Sequence, residues 1–302
     1  MVKIAAELNE ELRRRTVHGT SAVPIGRLLA RGDGWTVGDV MCTAGPGDRP
    51  FEEQHEQVAI AIVAAGTFEY RTTTGRALMT PGALLLGNQG DCFECGHRYG
   101  SGDRCIAFRF TAEYFEEIAG DAGVSGAGLA FRSPHLPPMA ESSALVAQAF
   151  AALAGSDEGG WEEIAVRLAT DVARFASRSV RSPAHAPASA VARVTRTVRA
   201  IERDPSARLT LPQLAAEAGL SLYHFLRTFQ QVTGLTPHQY VRRARLRDAA
   251  VRLTLEPSKI IDVAFDSGFA DVSNFNRAFR AEFGVSPRVY RTARNYDRVV
   301  SS

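Results

Sequence analysis

The spacing of hydrophobic and polar positions changes along this chain. In residues 20–110 they alternate in short runs broken by glycine, as in "VAIAIVAAGTFEYRTTTGRALMTPGALLLGN", where Gly66 and Gly75 separate the runs. Alternation with a period of two predicts β-strands, and glycines between short runs predict tight turns. Several short strands arranged in this way are typical of a barrel or a double-sheet jelly roll.

The period lengthens to three or four residues over 139–177, which predicts helices. A stretch rich in Pro, Ala and Ser, "SRSVRSPAHAPASA", follows at 177–190 and predicts a linker. The apolar positions that define the helical period are Leu145, Phe150, Leu153, Trp161, Ile164, Leu168, Val172 and Phe175.

The last third of the chain contains an internal repeat. Segments 214–240 and 263–290 share the pattern F-x-R-x-F-x4-G-[LV]-[ST]-P-x2-Y at an offset of 50 residues, or 49 before one inserted residue. Each copy predicts a helix, a turn at Gly219 or Gly268, and a second helix. Two helices joined by a short turn with glycine form a helix-turn-helix, whose second helix enters the major groove of DNA.

Polar residues at the expected helix starts support these boundaries. Thr210 with Gln213 three residues later has the spacing of a capping box. Ser221, Ser258 and Asp271 precede the other helices of the repeat and are expected to cap them.

Composition places the chain among soluble intracellular proteins and suggests a polyanionic partner. At 302 residues it is long enough for two domains. It has no apolar run near eighteen residues and no signal-peptide pattern, so we expect a cytoplasmic protein with reduced cysteines and no membrane partner. Residues 1–189 carry 17 basic and 23 acidic side chains, a net charge of −6, whereas residues 190–302 carry 18 and 10, a net charge of +8. Only the basic last third is therefore expected to meet a polyanion such as DNA.

Residues 193–296 resemble the DNA-binding domain of AraC/XylS-type transcription regulators. The segment "GFADVSNFNRAFRAEFGVSPRVYR" is similar to that family's signature over its whole length. The resemblance implies seven helices, with "PHQYVRRARLRDAAVRLT" as the long connecting helix, and two recognition helices in successive major-groove segments of double-stranded DNA. Carried over by position, the base-reading surface comprises Tyr223, Leu226, Arg227, Val272, Ser273, Asn274 and Arg277.

The chemistry of these side chains suggests individual contacts. Arg227 and Arg277 suit bidentate contacts to guanine, Asn274 suits adenine, and Leu226 suits a thymine methyl group. Contacts to phosphate or ion pairs within the domain are the alternative for the two arginines. Four further arginines are expected to contact the DNA backbone instead of reading bases. They are Arg242, Arg243, Arg245 and Arg247.

The front of the chain resembles the cupin-like domain that often precedes this DNA-binding domain, although its motifs are less specific. That resemblance implies a domain that senses a small molecule, and helices that either join two chains into a homodimer or only cover the barrel. Cupin enzymes hold their metal with an H-x-H pair, a carboxylate and a later histidine, whereas His55 stands alone here. We therefore expect a regulator and not an enzyme. The alternatives are a cupin-type metalloenzyme with an accessory helical domain, and a protein-interaction adaptor built on the helical repeat.

The segment "CFECGHRYGSGDRC", residues 92–105, contains three of the four cysteines. We expect "DCFEC" and "CIAFRF" to form two strands joined by "GHRYGSGDR". Zinc or another soft metal is one interpretation, because the segment offers four soft or borderline ligands: Cys92, Cys95, His97 and Cys105.

Two other interpretations of this segment remain open. One is a thiol switch in which Arg98 and Arg104 lower a thiol pKa and Cys95 pairs reversibly with Cys105. Alternatively, the thiols only pack as small hydrophobic groups, while Asp103 shapes the turn. The sequence does not decide whether Cys42 approaches them.

Together these patterns predict an α+β protein with an N-terminal cupin-like β-barrel and appended helices, followed by an all-α double helix-turn-helix domain. The expected divisions are a sensing domain at 1–138, a helical dimerisation segment at 139–177, a linker at 178–190 and a DNA-binding domain at 191–302. The expected effector is a metal, a redox change or an unidentified small molecule.

Overall fold

The fold is taken from a computed structural model, which describes residues 2–18, 24–124, 126, 129–155, 160–177 and 186–300. The front half begins with helix α1 (Val2–His18) and continues mainly as strands. The strands are β1 (Ile25–Gly32), β2 (Trp35–Cys42), β3 (Phe51–Gln54), β4 (Val58–Gly66), β5 (Phe68–Thr72), β6 (Gly75–Met79), β7 (Leu84–Gly87), β8 (Cys92–Gly96) and β9 (Asp103–Phe110). Helix α2 (Ala112–Asp121), the short strand β10 (His135–Leu136), α3 (Ala140–Ala154) and α4 (Trp161–Ser177) follow.

The strands form two antiparallel sheets. One has the order β1-β2-β9-β4-β7-β10 and the other β3-β8-β5-β6. Alternate side chains of β4 show how the layers are arranged, because neighbouring residues of a strand point to opposite faces. Ala61 and Val63 join the core between the sheets. Ile60 and Ile62 join a second core that includes helical residues.

Helices α1, α3 and α4 cover the outer face of the six-stranded sheet. Ile4 of α1, Phe150 of α3 and Leu168 of α4 all belong to the same buried cluster as Ile60. The apolar periodicity of 139–177 is thus satisfied within the chain, although Phe175 is only partly buried. The sequence patterns gave no prediction for α1.

The cysteine-rich segment forms two strands joined by a loop, as expected, but the two strands do not pair with each other as a hairpin. Strand β8 pairs with β3 and β5 in the four-stranded sheet, whereas β9 pairs with β2 and β4 in the six-stranded sheet. The segment therefore crosses from one sheet to the other, which excludes a hairpin. Sequence proximity suggested pairing, but the paired strands are distant in sequence.

The remaining chain forms seven helices within the described residues, as the resemblance implied. They are α5 (Ala188–Arg203), α6 (Leu211–Glu217), α7 (Leu222–Thr233), α8 (Pro237–Leu255), α9 (Ile260–Asp266), α10 (Val272–Phe283) and α11 (Pro287–Val300). Of the predicted linker, residues 178–185 lie outside the described residues, and its last three residues fall in α5. The domain boundaries themselves stay predictions.

Local sequence explains most of the helix ends. Thr210 and Gln213 form the predicted capping box, and the Asp271 side chain accepts a 2.7 Å hydrogen bond from the Asn274 backbone N–H. Gly219 and Gly268 adopt φ values of 64° and 85° in the helix-turn-helix turns, which favour glycine. The predicted cap at Ser258 was wrong, because Lys259 occupies that position without a side-chain cap.

No helix within the described part of the chain is both long enough and apolar enough to span a bilayer.

Candidate nucleic-acid interface

Helix α7 has a buried face and an exposed face at its N-terminal half. Phe225 and Phe229 are fully buried in the core of the first helix-turn-helix unit. Tyr223 is 68% exposed, Arg227 is exposed and Leu226 is half-buried. All three side chains named by the resemblance therefore reach the surface, as base contact requires.

Helix α10 repeats this arrangement in the second unit. Phe275 and Phe279 are fully buried. The other predicted base-reading residues on this helix are Ser273, Asn274 and Arg277, which are exposed, and Val272, which is half-buried. Arg277 Nη2 lies 3.5 Å from Asn274 Oδ1, so the two polar groups can approach one ligand together.

The sequence repeat is also a structural repeat. Gly234 and Gly284 end the two recognition helices with the same φ of 76°, and Tyr240 and Tyr290 pack into equivalent cores. The shared arginine of each copy is exposed, in contrast to its shared aromatic neighbours. Packing therefore explains the repeated apolar residues, but it does not explain the repeated arginine.

Three of the four arginines assigned to the DNA backbone are used inside the protein. Arg243 Nε pairs with Glu282 at 3.0 Å. Arg247 is buried and pairs with Glu202 at 2.7 Å. Arg245 donates to the backbone carbonyls of Pro205, Ala207 and Gly268 at 2.7–2.9 Å. The assignment of these three to phosphate contacts was wrong, because α8 is surrounded by other elements and its basic residues have carboxylate and carbonyl partners.

Arg242, the fourth, lines a cleft of about 550 Å³ between the two units. Asn274 and Arg277 of α10 line the same cleft, as does the exposed His238 of α8. This cleft brings part of the second recognition helix beside the connecting helix. Sequence reasoning did not single out His238, since nothing in its local pattern distinguishes it from a solvated histidine.

The front half contacts both recognition helices near their C-terminal ends. A Cβ atom at Gly234, which ends α7, would lie 3.0 Å from Pro137 Cβ. At the end of α10, Glu282 accepts a 2.6 Å hydrogen bond from Ser143 Oγ of α3. Arg243, which binds Glu282, also donates to the Pro138 carbonyl. The N-terminal halves of both recognition helices remain exposed, so these contacts are compatible with DNA access.

The cysteines occupy three different environments. Cys92 is exposed, while Cys95, three residues later, faces the buried core between the sheets together with Cys105. Cys42 is buried at the end of β2 and pairs across strands with Asp103. The four predicted ligands are therefore not gathered around one point by the sheet. The described side chains that do meet are Cys42, His97 and Asp103, whose ligand atoms lie within 4.8 Å of one another.

The three buried thiols are not activated as the switch hypothesis required. Burial raises the pKa of the Cys42 thiol to about 11, and burial also raises the pKa values of Cys95 and Cys105 well above their ordinary value. Arg104 instead binds Asp39, with Nε 2.8 Å from Oδ1. The predicted lowering of a thiol pKa by Arg104 was wrong because this guanidinium has its own carboxylate partner.

His55 lies at the edge of the space between the sheets. Its Nε2 is 2.7 Å from the Tyr70 hydroxyl, and its ring stacks on Phe93 with a centroid separation of 4.2 Å. Burial lowers the pKa of His55 to about 4. This neutral imidazole and the phenol form a polar pair beside an otherwise apolar interior.

Comparison with known proteins identifies the helical part. A family model described as "Helix-turn-helix domain" matches residues 214–293. The transcriptional regulator Rob of Salmonella typhimurium is 40% identical over 83 residues, which cover 28% of this chain and 29% of Rob. The HTH-type transcriptional activator AarP of Providencia stuartii is 33% identical over 91 residues, covering 30% of this chain and 67% of AarP.

A solved structure shows the same similarity. The DNA-binding domain of AdpA, crystallised in complex with a target DNA, is 28% identical, with a TM-score of 0.34, and covers 35% of this chain and 95% of that chain. The match to Rob spans less than a third of that protein's length. The matched relatives are transcription regulators and not enzymes. The chain belongs to the AraC family of helix-turn-helix transcription regulators.

Proposed function

We propose that this protein is a sequence-specific regulator that binds double-stranded DNA with α7 and α10 in successive major-groove segments. The observation that carries the proposal is the repeated arginine: Arg227 and Arg277 occupy equivalent, exposed positions on two helices whose other repeated residues are buried. An exposed arginine at this place on a recognition helix suits a bidentate contact to guanine. The net charge of +8 over residues 190–302 supports binding to a polyanion.

The remaining predicted residues complete two separate reading surfaces. On α7, Tyr223 and Leu226 flank Arg227, and Leu226 offers an apolar contact to a thymine methyl group. On α10, Asn274 suits adenine and lies beside Arg277, while Val272 and Ser273 lie in the first turn of the helix. Each helix is thus proposed to read its own short element.

Selection of binding sites from randomised duplex DNA tests this function. We expect recovered sequences with two short conserved elements about one helical turn, roughly 10 base pairs, apart. Recovery of sequences with no shared element would contradict sequence-specific recognition. For the variants Arg227→Ala and Arg277→Ala, Arg31→Ala serves as the charge-matched control. Arg31 is exposed on β1 and does not belong to the helical units.

We further propose that the two-sheet front half is a cupin-like sensing domain. Small side chains face the core between the sheets, among them Ala61, Ala77 and Ala107, and His55 and Tyr70 provide polar groups beside it. An interior with small apolar side chains and few polar groups suits a small, mostly apolar effector. Thermal unfolding of the full chain with a library of small metabolites tests this, since a ligand of the folded state raises the Tm.

The family resemblance also leads us to propose a homodimer. The apolar stripes of α3 and α4 pack inside the chain, so a dimer formed by these helices would use their outward faces. Sedimentation velocity measures the mass directly. A species of twice the chain mass at micromolar concentration supports the dimer, and a monomer at that concentration contradicts it.

A further inference from the structure

Three buried side chains meet where the ends of β2 and β9 lie beside the residue that follows β8. Cys42 and Asp103 are directly opposite each other in the strand register, and His97 comes one residue after β8. The candidate ligand atoms of the three residues lie within 4.8 Å of one another. We infer that Cys42, His97 and Asp103 bind a divalent cation of the zinc class.

The donor set and its spacing fit this ion. Zinc accepts thiolate, imidazole and carboxylate ligands at about 2.0–2.3 Å, so two ligand atoms of a tetrahedral site are about 3.5 Å apart. His97 Nε2 and Asp103 Oδ1 now form a 2.6 Å hydrogen bond. That pair must open by about 1 Å to hold the cation, which small side-chain rotations achieve.

The burial of the cluster supports a ligand and not an ordinary solvated pair. The side chains of His97 and Asp103 are 1% and 8% exposed, and Cys42 is 3% exposed. The second ring nitrogen of His97, Nδ1, is buried without a hydrogen-bond partner among the described residues. Buried polar atoms normally have partners, so the unpaired Nδ1 shows that the present contacts of the His97 ring do not satisfy both of its nitrogens.

The surroundings of the three donors are compatible with a cation. Cys105 Sγ lies 3.4 Å from the other carboxylate oxygen of Asp103, which places a further sulfur next to the site. Arg15 is a nearby positive charge, but Asp48 lies 2.6 Å from it and balances it. Cys92 is exposed at the far end of β8 and has no place in this donor set.

The loop that begins at His97 touches the first helix-turn-helix unit. Tyr99 packs against the core of that unit. A Cβ atom at Gly100 would lie 2.9 Å from Arg199 Nη1 of α5, so the loop backbone is close to that helix. Gly102 N–H donates to the Ala44 carbonyl, just beyond Cys42, at 2.8 Å. A cation that fixes the His97 side chain would therefore also restrain the loop held between the site and α5, a consequence that rests on the proposed function of α5 to α7.

Titration of the reduced, chelator-treated full chain with Co²⁺ tests the site. We expect one equivalent to bind, with a near-ultraviolet sulfur-to-cobalt band and visible bands of tetrahedral intensity, and we expect Zn²⁺ to remove both. Cys42→Ser is expected to lose the sulfur band, and Asp103→Asn, which keeps the side-chain volume, to weaken Co²⁺ binding at least tenfold.

Cys92→Ser is the matched control and should bind Co²⁺ as the unmodified chain does. Absence of a sulfur band in the unmodified chain overturns the site, as does a band that disappears in Cys92→Ser and persists in Cys42→Ser. Circular dichroism verifies folding of each variant, and the result for the unmodified chain stands even if a variant fails to fold.

Hydrogen exchange measured without DNA tests separately whether Zn²⁺ binds at the site and whether its effect reaches α5. Zn²⁺ should slow amide exchange in residues 97–102 and in α5 of the unmodified chain, but not in Asp103→Asn. Protection confined to the segments of the three ligands would support the metal site but would contradict an effect on α5. Because no DNA is present, failure of the proposed DNA-binding function would not affect either result.

Discussion

Glu202 of α5 and Arg247 of α8 form a buried ion pair at which three parts of the fold meet. Arg247 Nη2 lies 2.7 and 2.9 Å from the two carboxylate oxygens of Glu202, and Arg247 Nη1 donates to the Pro81 carbonyl of the front half at 3.1 Å. The Tyr240 hydroxyl donates to the same carboxylate at 2.8 Å. Burial opposes the charge of Arg247, but the neighbouring Glu202 raises the pKa of the guanidinium.

Removal of the Glu202 charge should destabilise the whole chain. We expect Glu202→Gln to lower the free energy of unfolding by about 3 kcal/mol, because Arg247 would remain buried with its charge uncompensated. Urea denaturation followed by circular dichroism measures the change. Glu256→Gln is the control: Glu256 also pairs with an arginine, Arg252, but is 41% exposed, and its loss should cost less than about 1 kcal/mol. Equal losses in the two variants would show that burial does not govern these pairs.

Stability should fall below neutral pH because of His135. Burial lowers the pKa of this histidine to about 4, below the value of about 6.5 in an unfolded chain. Between these two pH values the unfolded state binds more protons than the folded state, so stability rises with pH across the window and is lost as the pH falls from 6.5 to 4. The full effect is about 3 kcal/mol.

A variant isolates that contribution. His135→Asn removes the titrating group, so its unfolding free energy should change less between pH 6.5 and 4 than that of the unmodified chain. Urea denaturation at several pH values provides the comparison. An unchanged pH slope in the variant would assign the acid sensitivity to other groups, such as the half-buried His55.

Two glycines in the second helix-turn-helix unit should respond differently to alanine. Both have left-handed backbones, with φ of 85° at Gly268 and 76° at Gly284. A Cβ atom at Gly268 would lie 2.7 Å from the Ser206 carbonyl oxygen, whereas one at Gly284 would have no neighbour within 4 Å. We expect a loss of about 1 kcal/mol for Gly284→Ala from backbone strain and at least about 2 kcal/mol for Gly268→Ala. Thermal unfolding of both variants measures the difference, and similar Tm values would exclude the close contact with Ser206.

Arg245 of α8 should affect protein stability, whereas an arginine that contacts DNA phosphate would affect the salt dependence of DNA binding. Arg245 holds three backbone carbonyls, so Arg245→Ala should lower protein stability. The salt dependence of the DNA affinity of the folded variant should stay the same. If Arg245 contacted a phosphate, its loss would instead reduce the magnitude of the negative slope of log K against log[salt] by about 1. Fluorescence anisotropy over a range of salt concentrations distinguishes the two roles.

The sequence predicted best those features that depend on neighbouring residues. The repeat, the capping box at Thr210, the turn glycines and the buried faces of Phe225 and Phe275 all follow from local spacing, and the structure confirms them. These features recur in two copies, so each copy supported the other. The exposure of Arg227 and Arg277 followed from the same helical period.

Features that depend on distant contacts could not be predicted. The pairing of Cys42 with Asp103 joins residues 61 positions apart and results from the order of strands in the six-stranded sheet. From local spacing, Asp103 was considered only as a turn residue. Cys92 was grouped with Cys95, although strand alternation already placed these two cysteines on opposite faces. The internal partners of Arg243, Arg245 and Arg247 likewise come from elements far away in sequence.

Helices α7 and α10 are proposed to read separate DNA elements through the equivalent arginines Arg227 and Arg277. The most direct measurement is the affinity of Arg227→Ala and Arg277→Ala for a selected site and for sites with substitutions in each element. Each variant should lose about 1–3 kcal/mol on the intact site and should no longer discriminate at one position, in a different element for each variant. Loss of affinity that is uniform over all sequences for both variants would contradict base reading and would show that the two arginines contact only phosphates.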